Sequence, residues 1–382
     1  FWDNLKEGRC AIRSSYYTEG EGLELTLPTA PIQDFDVKAF DLGRELGRAD
    51  PFSHYAAIAA DEAIGDAGLE IDEALSTRTA CILGAGIGGQ AAMDAAFTGM
   101  LLRGRRPHPL TILKTIPNAA ASQLSIRYGV RGPAYAISSA CASGAHAIGA
   151  CAGLIRMGAA DAAITGASEA VLTYSALEAW KAMHIMSDEL CRPFSKNRKG
   201  LIIGEGAGIL ILEEYERAKK RGARIYGEVA GFGMNADGAD MINPAVEGAT
   251  AAMRQSLDTV AVADPARVYV NAHGTGTLMN DPTETKAIRT VFGADADALA
   301  VSSTKSMHGH LLGAAGGVEA IAALMALRDG VIPPTINYDA PDPECDLDVT
   351  PNEARERPLD VAVSNSFAFG GLNAVLTFTA LS

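Results

Sequence analysis

The chain is poor in aromatic residues, which make up 6% of its 382 positions, and it carries two tryptophans. It lacks positive charge in the balance: 46 Asp and Glu against 32 Lys and Arg leave a formal charge of −14. Phosphate-binding surfaces need the opposite sign, so a nucleic-acid partner is not expected. No unbroken apolar run reaches the roughly 18 residues that span a bilayer, so no membrane span is expected; the apolar stretches are rich in Ala and Gly and interrupted by charge. The six cysteines, at 10, 81, 141, 151, 191 and 345, form no C-x-x-C pair. In a chain of this length that pattern reads as reduced intracellular thiols, not a disulfide framework. The first residues, FWDNLKEG, look like the middle of a helix and contain no secretory leader. We therefore expect further residues ahead of Phe1 in the full-length protein, and a cytoplasmic location.

What is present is ordinary globular material, 48% hydrophobic and 20% charged. Short β-branched runs alternate with Ala-rich helical stretches. Strands are predicted at 79–83, 135–138, 161–166, 207–214, 224–233, 267–272, 299–303, 361–366 and 373–380. Helices are predicted at about 54–68, 89–103, 118–129, 142–158, 213–221, 247–262, 282–292 and 313–328. The alternation argues an α/β fold with a largely buried sheet. The 40 glycines gather at element junctions. A duplicated architecture would divide near 222–225.

One motif misleads. TACILGAGIGG (79–89) places Gly84, Gly86 and Gly89 in the G-x-G-x-x-G spacing after a strand, as in dinucleotide-binding loops. Such a site also wants an acidic residue about 20 residues on, at the end of a second strand. That region reads MLLRGRRPHP, with neither. A dinucleotide-dependent oxidoreductase is therefore a weak reading.

Three other segments carry chemistry. In GPAYAISSACASGAHAIGACAGLIRMG (132–158), Cys141 sits where a strand gives way to an Ala/Gly-rich helix. The free N–H groups and positive dipole at a helix start favour thiolate, and small flanking residues leave room for an acyl group. In YVNAHGTGTLMNDPTET (269–285), His273 follows a strand, with Thr275 and Thr277 offering hydroxyls to a polar ligand arm. SSTKSMHGHLLGAAGG (302–317) repeats the pattern with His308 and His310; Lys305 and Glu319 are candidates for a buried charge pair. His308 and His310 lie in a turn, where positions i and i+2 share no face, so a metal-binding pair is not expected.

Taken with NSFAFGGLNAVL (365–376) and RPFSKNRKGLIIGEGAGILILEEYERAKKRGA (192–223), these segments resemble, in order and over essentially the whole chain, the β-ketoacyl-acyl-carrier-protein synthases of the thiolase superfamily. The resemblance implies a thiolase fold: two similar βαβαβαββ halves in five layers (α-β-α-β-α), here 1–222 and 223–382, with the first strand of the first half lying ahead of Phe1. It implies Cys141 as acyl-accepting nucleophile, His273 and His310 as the catalytic histidines, Lys305 and Glu319 as their charged support, and Phe369 as a gate. The Phe369 backbone N–H would join that of Cys141 in an oxyanion hole. It implies decarboxylative condensation of an acyl-enzyme with malonyl carrier protein, the pantetheine arm lying near Thr275 and Thr277, with no metal or redox cofactor. The implied partners are an acidic acyl carrier protein and a second ketosynthase-like subunit, identical or chain-length-factor-like. Arg103, Arg105, Arg106, Arg198 and Lys199 are the candidate carrier patch.

Two positions depart from the pattern: His308 stands where threonine is usual, and Ala368 where glycine is common. DEAIGDAGL, EAWKAM, CRPFS and CDLDVTPNEARERP look closer to nodulation and polyene-making ketosynthases than to housekeeping ones, which implies an unusual, polyunsaturated product. The rivals are a thiolase-type coenzyme-A enzyme, which usually has a second catalytic cysteine near the C-terminus where none follows Cys345 here, and a non-catalytic chain-length factor, which typically loses the nucleophile.

Overall fold

The computed structural model describes residues 1–381. In chain order the strands are β1 (Arg13–Gly20), β2 (Leu23–Thr29), β3 (Thr79–Gly84), β4 (Ala134–Ile137), β5 (Ala162–Glu169), β6 (Gly206–Glu213), β7 (Glu228–Ala236), β8 (Val268–Asn271), β9 (Ala300–Ser302), β10 (Val331–Ile332), β11 (Arg355–Glu356), β12 (Val361–Ala368) and β13 (Leu372–Thr379). Two sheets form the frame: β4-β3-β5-β6 and β7-β13-β12-β8-β9. In the first, β3 runs parallel to β4 and β5, and β6 closes antiparallel to β5. The second repeats this with β8, β9 and β12 parallel and β13 antiparallel to β12, then adds β7 outside β13.

Helices Ser143–Arg156 and Ala315–Asp329 lie between the sheets. Pro51–Ala67 and Ala119–Tyr128 cover the outer face of the first sheet, and Val246–Leu257 with Asn280–Phe292 that of the second. This is the five-layer arrangement of the thiolase fold. Being covered on both faces, β3, β5 and β12 are buried at every residue, which is why they read as continuous apolar or small-residue runs. The outer helix Pro51–Ala67 starts where the Asp50 side chain accepts from the Phe52 N–H, with Pro51 in its first turn, and ends at Gly68 with φ +55°.

The central layer is tight because it is built from Ala and Gly. A Cβ at Gly144 would lie 2.7 Å from the Gly317 nitrogen and 3.0 Å from the Ala167 Cβ, so only glycine lets the two central helices and β5 meet. On the outer side of β6, where β7 has its place in the other half, a cavity of about 1470 Å³ is lined by Ile209, Ile211, Val318, Ile321 and Leu324 among others. The first-half strand expected ahead of Phe1 lies outside the described residues.

Most predicted elements are found to within a few residues; the strand read at 224–233 begins at Glu228 instead. Several elements were not anticipated: the β1–β2 hairpin, helix Tyr174–Ala182 against which it packs, the short β10–β11 pair, and short helices such as Glu73–Ser76, Thr111–Thr115 and Lys305–His308.

Gly144→Ala is expected to cost about 1–3 kcal/mol through overpacking. A lowered urea midpoint at unchanged slope checks it; an unchanged midpoint would show that the central helices can separate freely.

Candidate functional site

The fold gathers the sequence-predicted residues at the carboxyl ends of the strands. Cys141 follows β4, His273 follows β8, Lys305 and His310 follow β9, and Phe369 follows β12. Just before Cys141 the chain makes a sharp turn: Ala140 has φ +49°, a left-handed conformation that a non-glycine residue holds only under constraint. The Ser143 hydroxyl braces the turn, donating to the Ala140 carbonyl (2.6 Å) and accepting from the Ser139 N–H (2.9 Å). The Phe369 N–H faces the Cys141 sulfur.

The expected thiolate is not what the free site favours. Helix Ser143–Arg156 begins two residues beyond Cys141, which is itself 5% exposed. Burial pushes the thiol up to about 12, with the Glu169 and Glu319 charges adding to the rise and Lys305 opposing it. Desolvation outweighs the Lys305 charge and the Phe369 N–H here.

The histidines meet edge to face, with ring centroids 5.2 Å apart and planes at 86°. Lys305 lies within 3.3 Å of His273 Nδ1 and donates to the Glu319 carboxylate; Lys305 and Glu319 are both fully buried. An ammonium can only donate, so His273 Nδ1 accepts and its proton sits on Nε2. Burial first, then the Lys305 charge, holds both histidines well below the ordinary imidazole range. They are neutral donors. Burial also pushes Glu319 up to about 7, against the pull of Lys305. The His310 backbone is clamped to the β6-proximal segment: its N–H donates to Ile202 O (2.6 Å) and its carbonyl accepts from the Gly204 N–H (3.0 Å).

The structure separates the two histidines of His-Gly-His. His308 is half-buried, donates from Nδ1 to Gly309 O (2.8 Å) and lines the cavity beside β6. Its imidazole is pushed down to about 3, chiefly by burial. Thr275 and Thr277 are 3.0 Å apart, oxygen to oxygen, and Thr277 accepts from the Asn280 N–H at the start of helix Asn280–Phe292. Ala368 adopts strand geometry in β12, while the left-handed turn positions fall on Gly370 and Gly371. No glycine is required at 368. The Phe369 ring stacks on Trp180, with centroids 6.1 Å apart.

Two corrections follow for the charged patch. Arg198 is 5% exposed, paired with Asp342, and donates to Thr277 O and Ser195 O at 3.1 Å each. It braces the 275–277 loop and presents no charge to a partner. Lys199 is exposed but lies 3.4 Å from both Asp188 and Glu189, which offset it. Arg103, Arg105 and Arg106 are exposed.

Sequence reasoning missed the carboxylates that hold the His273 loop. Buried Glu284 accepts from the His273 and Gly274 N–H groups (2.8 and 2.7 Å) and from Asn365 (3.0 Å). Asp281 accepts from the Gly276 and Phe194 N–H groups. The signal was the acid-bearing NDPTE two residues after HGTGT. The G-x-G-x-x-G loop does cradle an anion, but an internal one: the Glu169 carboxylate accepts from the N–H groups of Gly86, Ile87 and Gly88.

Comparison with known proteins agrees with this geometry. Residues 1–218 match the β-ketoacyl synthase N-terminal domain and residues 226–339 the β-ketoacyl synthase C-terminal domain. The chain is 47% identical to nodulation protein E of Rhizobium sp. (strain N33) over 382 residues, covering 99% of this chain and 94% of that relative. It is 41% identical to 3-oxoacyl-[acyl-carrier-protein] synthase 2 of Staphylococcus aureus over 385 residues, covering 99% and 95%. It superposes on the ishigamide ketosynthase/chain length factor with a TM-score of 0.92 at 33% identity, covering 100% of this chain and 94% of that one.

Because the reactive form is the thiolate and the thiol sits near 12, alkylation of Cys141 by iodoacetamide is expected to rise about tenfold per pH unit between about pH 7 and 9. Peptide mass spectrometry separates it from the exposed Cys10. A plateau below about pH 8 would show a stabilised thiolate.

Proposed function

The chain belongs to the β-ketoacyl synthase family, and from that membership we propose how its own residues perform the family's reaction. The enzyme elongates an acyl chain by decarboxylative Claisen condensation with a malonyl carrier protein. In the first stage the Cys141 sulfur attacks the carbonyl of an acyl-carrier thioester. The carrier's C–S bond breaks, and the carrier thiol leaves with the proton given up by Cys141. The backbone N–H groups of Cys141 and Phe369 receive the transient oxyanion.

In the second stage the malonyl thioester lies with its pantetheine arm along Thr275 and Thr277. The bond to its carboxylate breaks, carbon dioxide leaves, and the electron pair becomes an enolate. The Nε2–H of His273 and the neutral ring of His310 donate to the enolate oxygen, where charge develops. The enolate carbon attacks the acyl-Cys141 carbonyl, the C–S bond breaks, and the leaving thiolate takes up a proton from solvent to restore the Cys141 thiol. Every step moves electron pairs between substrate and side chains, so the substrates' phosphopantetheine arms are the only prosthetic groups the sequence of steps calls for. What most supports this reading is the neutral, edge-to-face His273–His310 pair, with Lys305 fixing the His273 tautomer.

The staphylococcal relative is named for an acyl carrier protein, and the ishigamide ketosynthase is named with a chain length factor. We extend both partners to this chain. Arg103, Arg105 and Arg106, next to exposed Leu101 and Leu102, are the docking patch for an acidic carrier. The second subunit, identical or chain-length-factor-like, pairs along the edge strand β4, whose Tyr135 is 43% exposed. The halves divide at 222–223. Likeness to nodulation protein E supports an unusual, polyunsaturated acyl product. No helix among the described residues is long and apolar enough to cross a membrane, and we assign the enzyme to the cytoplasm.

His310→Ala is expected to cut carbon dioxide release from malonyl carrier protein by about 10²–10³-fold, the usual cost of an oxyanion donor, while His308→Thr keeps most of it. The reverse order would mean that the histidines are exchanged in role. Mass spectrometry after incubation with acyl carrier protein is expected to find the acyl group on Cys141 and to read its length and unsaturation. An acyl-enzyme formed by Cys141→Ala would remove the nucleophile assignment.

A further inference from the structure

Glu169, at the end of β5, is a fully buried carboxylate that the reaction does not use. Its Oε2 accepts from the Gly86 N–H (2.6 Å) and the Gly313 N–H (3.1 Å), and its Oε1 from the Ile87 and Gly88 N–H groups (3.2 Å each). One side chain therefore joins two loops from different halves of the chain, and both loops border the site. The 84–89 loop is tied to the nucleophile turn through Ser138 Oγ donating to Gly86 O (3.0 Å) and the Ala85 N–H donating to Ile137 O (3.1 Å). Gly313 lies three residues after His310 and six before Glu319.

The turn at Gly313 needs holding. Leu312 before it is buried and has φ +49°, a strained conformation for a branched side chain. The loops touch so closely that a Cβ at Gly313 would stand 2.1 Å from the Gly86 nitrogen. Nor does the charge of Glu169 help the nucleophile: it raises the Cys141 thiol, the wrong direction for activation. Burial pushes Glu169 itself up to about 7, and the four N–H groups oppose that rise.

We propose that Glu169 is a positioning residue for condensation: by bridging the 86–88 loop to Gly313 it fixes the turn that carries His310 relative to Cys141. The proposal rests on the assignment of His310 to the decarboxylation step. It acts on the geometry of the histidine half and leaves the chemistry of acyl transfer to Cys141 alone.

The test separates the two stages in Glu169→Gln and Glu169→Asp. Glutamine puts an NH₂ where one oxygen now accepts two N–H groups; aspartate keeps the charge but is one methylene too short to touch both loops. In both variants kcat for condensation is expected to fall about 10- to 100-fold, as for a misplacement of about 1 Å. KM for malonyl carrier protein and the rate of acyl-Cys141 formation change little. Equal losses in acyl transfer and condensation, or full condensation by Glu169→Asp, would overturn the proposal. Hydrogen exchange on the unmodified enzyme covers the case of variants that do not fold: the amides of Gly86, Ile87, Gly88 and Gly313 are expected to be as protected as those of β5, and fast exchange at Gly313 alone would refute the bridge. Should His310→Ala keep full condensation, it is the His310 assignment that fails, a result distinct from either outcome at Glu169.

Discussion

The site depends on one buried ion pair, Lys305 with Glu319, both at zero exposure. Two charges removed from water need each other, and losing either would leave the other stranded. Their geometry is set by the fold, since Lys305 comes from the turn after β9 and Glu319 from the central helix Ala315–Asp329. What the pair does chemically is to present an ammonium to His273 Nδ1. That contact selects the ring's tautomer, and the ammonium charge adds to burial, the larger cause, in keeping both histidines uncharged. A charged imidazole would lose its proton to an enolate; a neutral one can hold the enolate by a hydrogen bond.

A second consequence is that the two halves of the reaction are electrostatically distinct. Around Cys141 the balance is one of burial and two carboxylates against one lysine and the Phe369 N–H, so the free side chain is held as a thiol. In the proposed mechanism the thioester stage begins with proton loss at a buried sulfur that the Phe369 N–H faces. The second stage begins with a substrate that brings its own leaving carboxylate. Nothing in the residues around His273 and His310 has to change protonation for that.

Much of this was legible in the sequence, for identifiable reasons. β3 and most of β5 and β12 showed as small or apolar runs because both their faces are covered, with Glu169 and Asn365 the exceptions. Cys141, His273 and His310 showed because each stands in a small-residue turn between a strand and a helix. Charged residues were harder, because burial cannot be read from a charge's neighbours in sequence. Arg198 looked like surface beside Lys199, yet its partner Asp342 is 144 residues away. Glu169 was silent for the same reason: it is held by backbone N–H groups that folding brings to it, whereas Glu284 left a local trace in NDPTE. In the hairpin, β1 (RSSYYTEG) has little apolar content and a faint period, whereas β2 (LELTLPT) alternates Leu with polar residues and its period-2 signal was legible.

The Glu169 bridge also bears on how the chain acquires its fold during synthesis. The carboxylate and the Gly313 N–H it accepts are separated by 144 residues. At ribosomal speeds of about 5–20 residues per second, the first sheet waits roughly 7–30 s for the segment that completes its charge environment. Until helix Ala315–Asp329 emerges, the inner face of β6 lacks its main partner, while β5 packs on helix Ser143–Arg156. The first half is therefore completed by a segment of the second, and an isolated fragment ending before residue 313 would hold Cys141 beside a central layer made of helix Ser143–Arg156 alone.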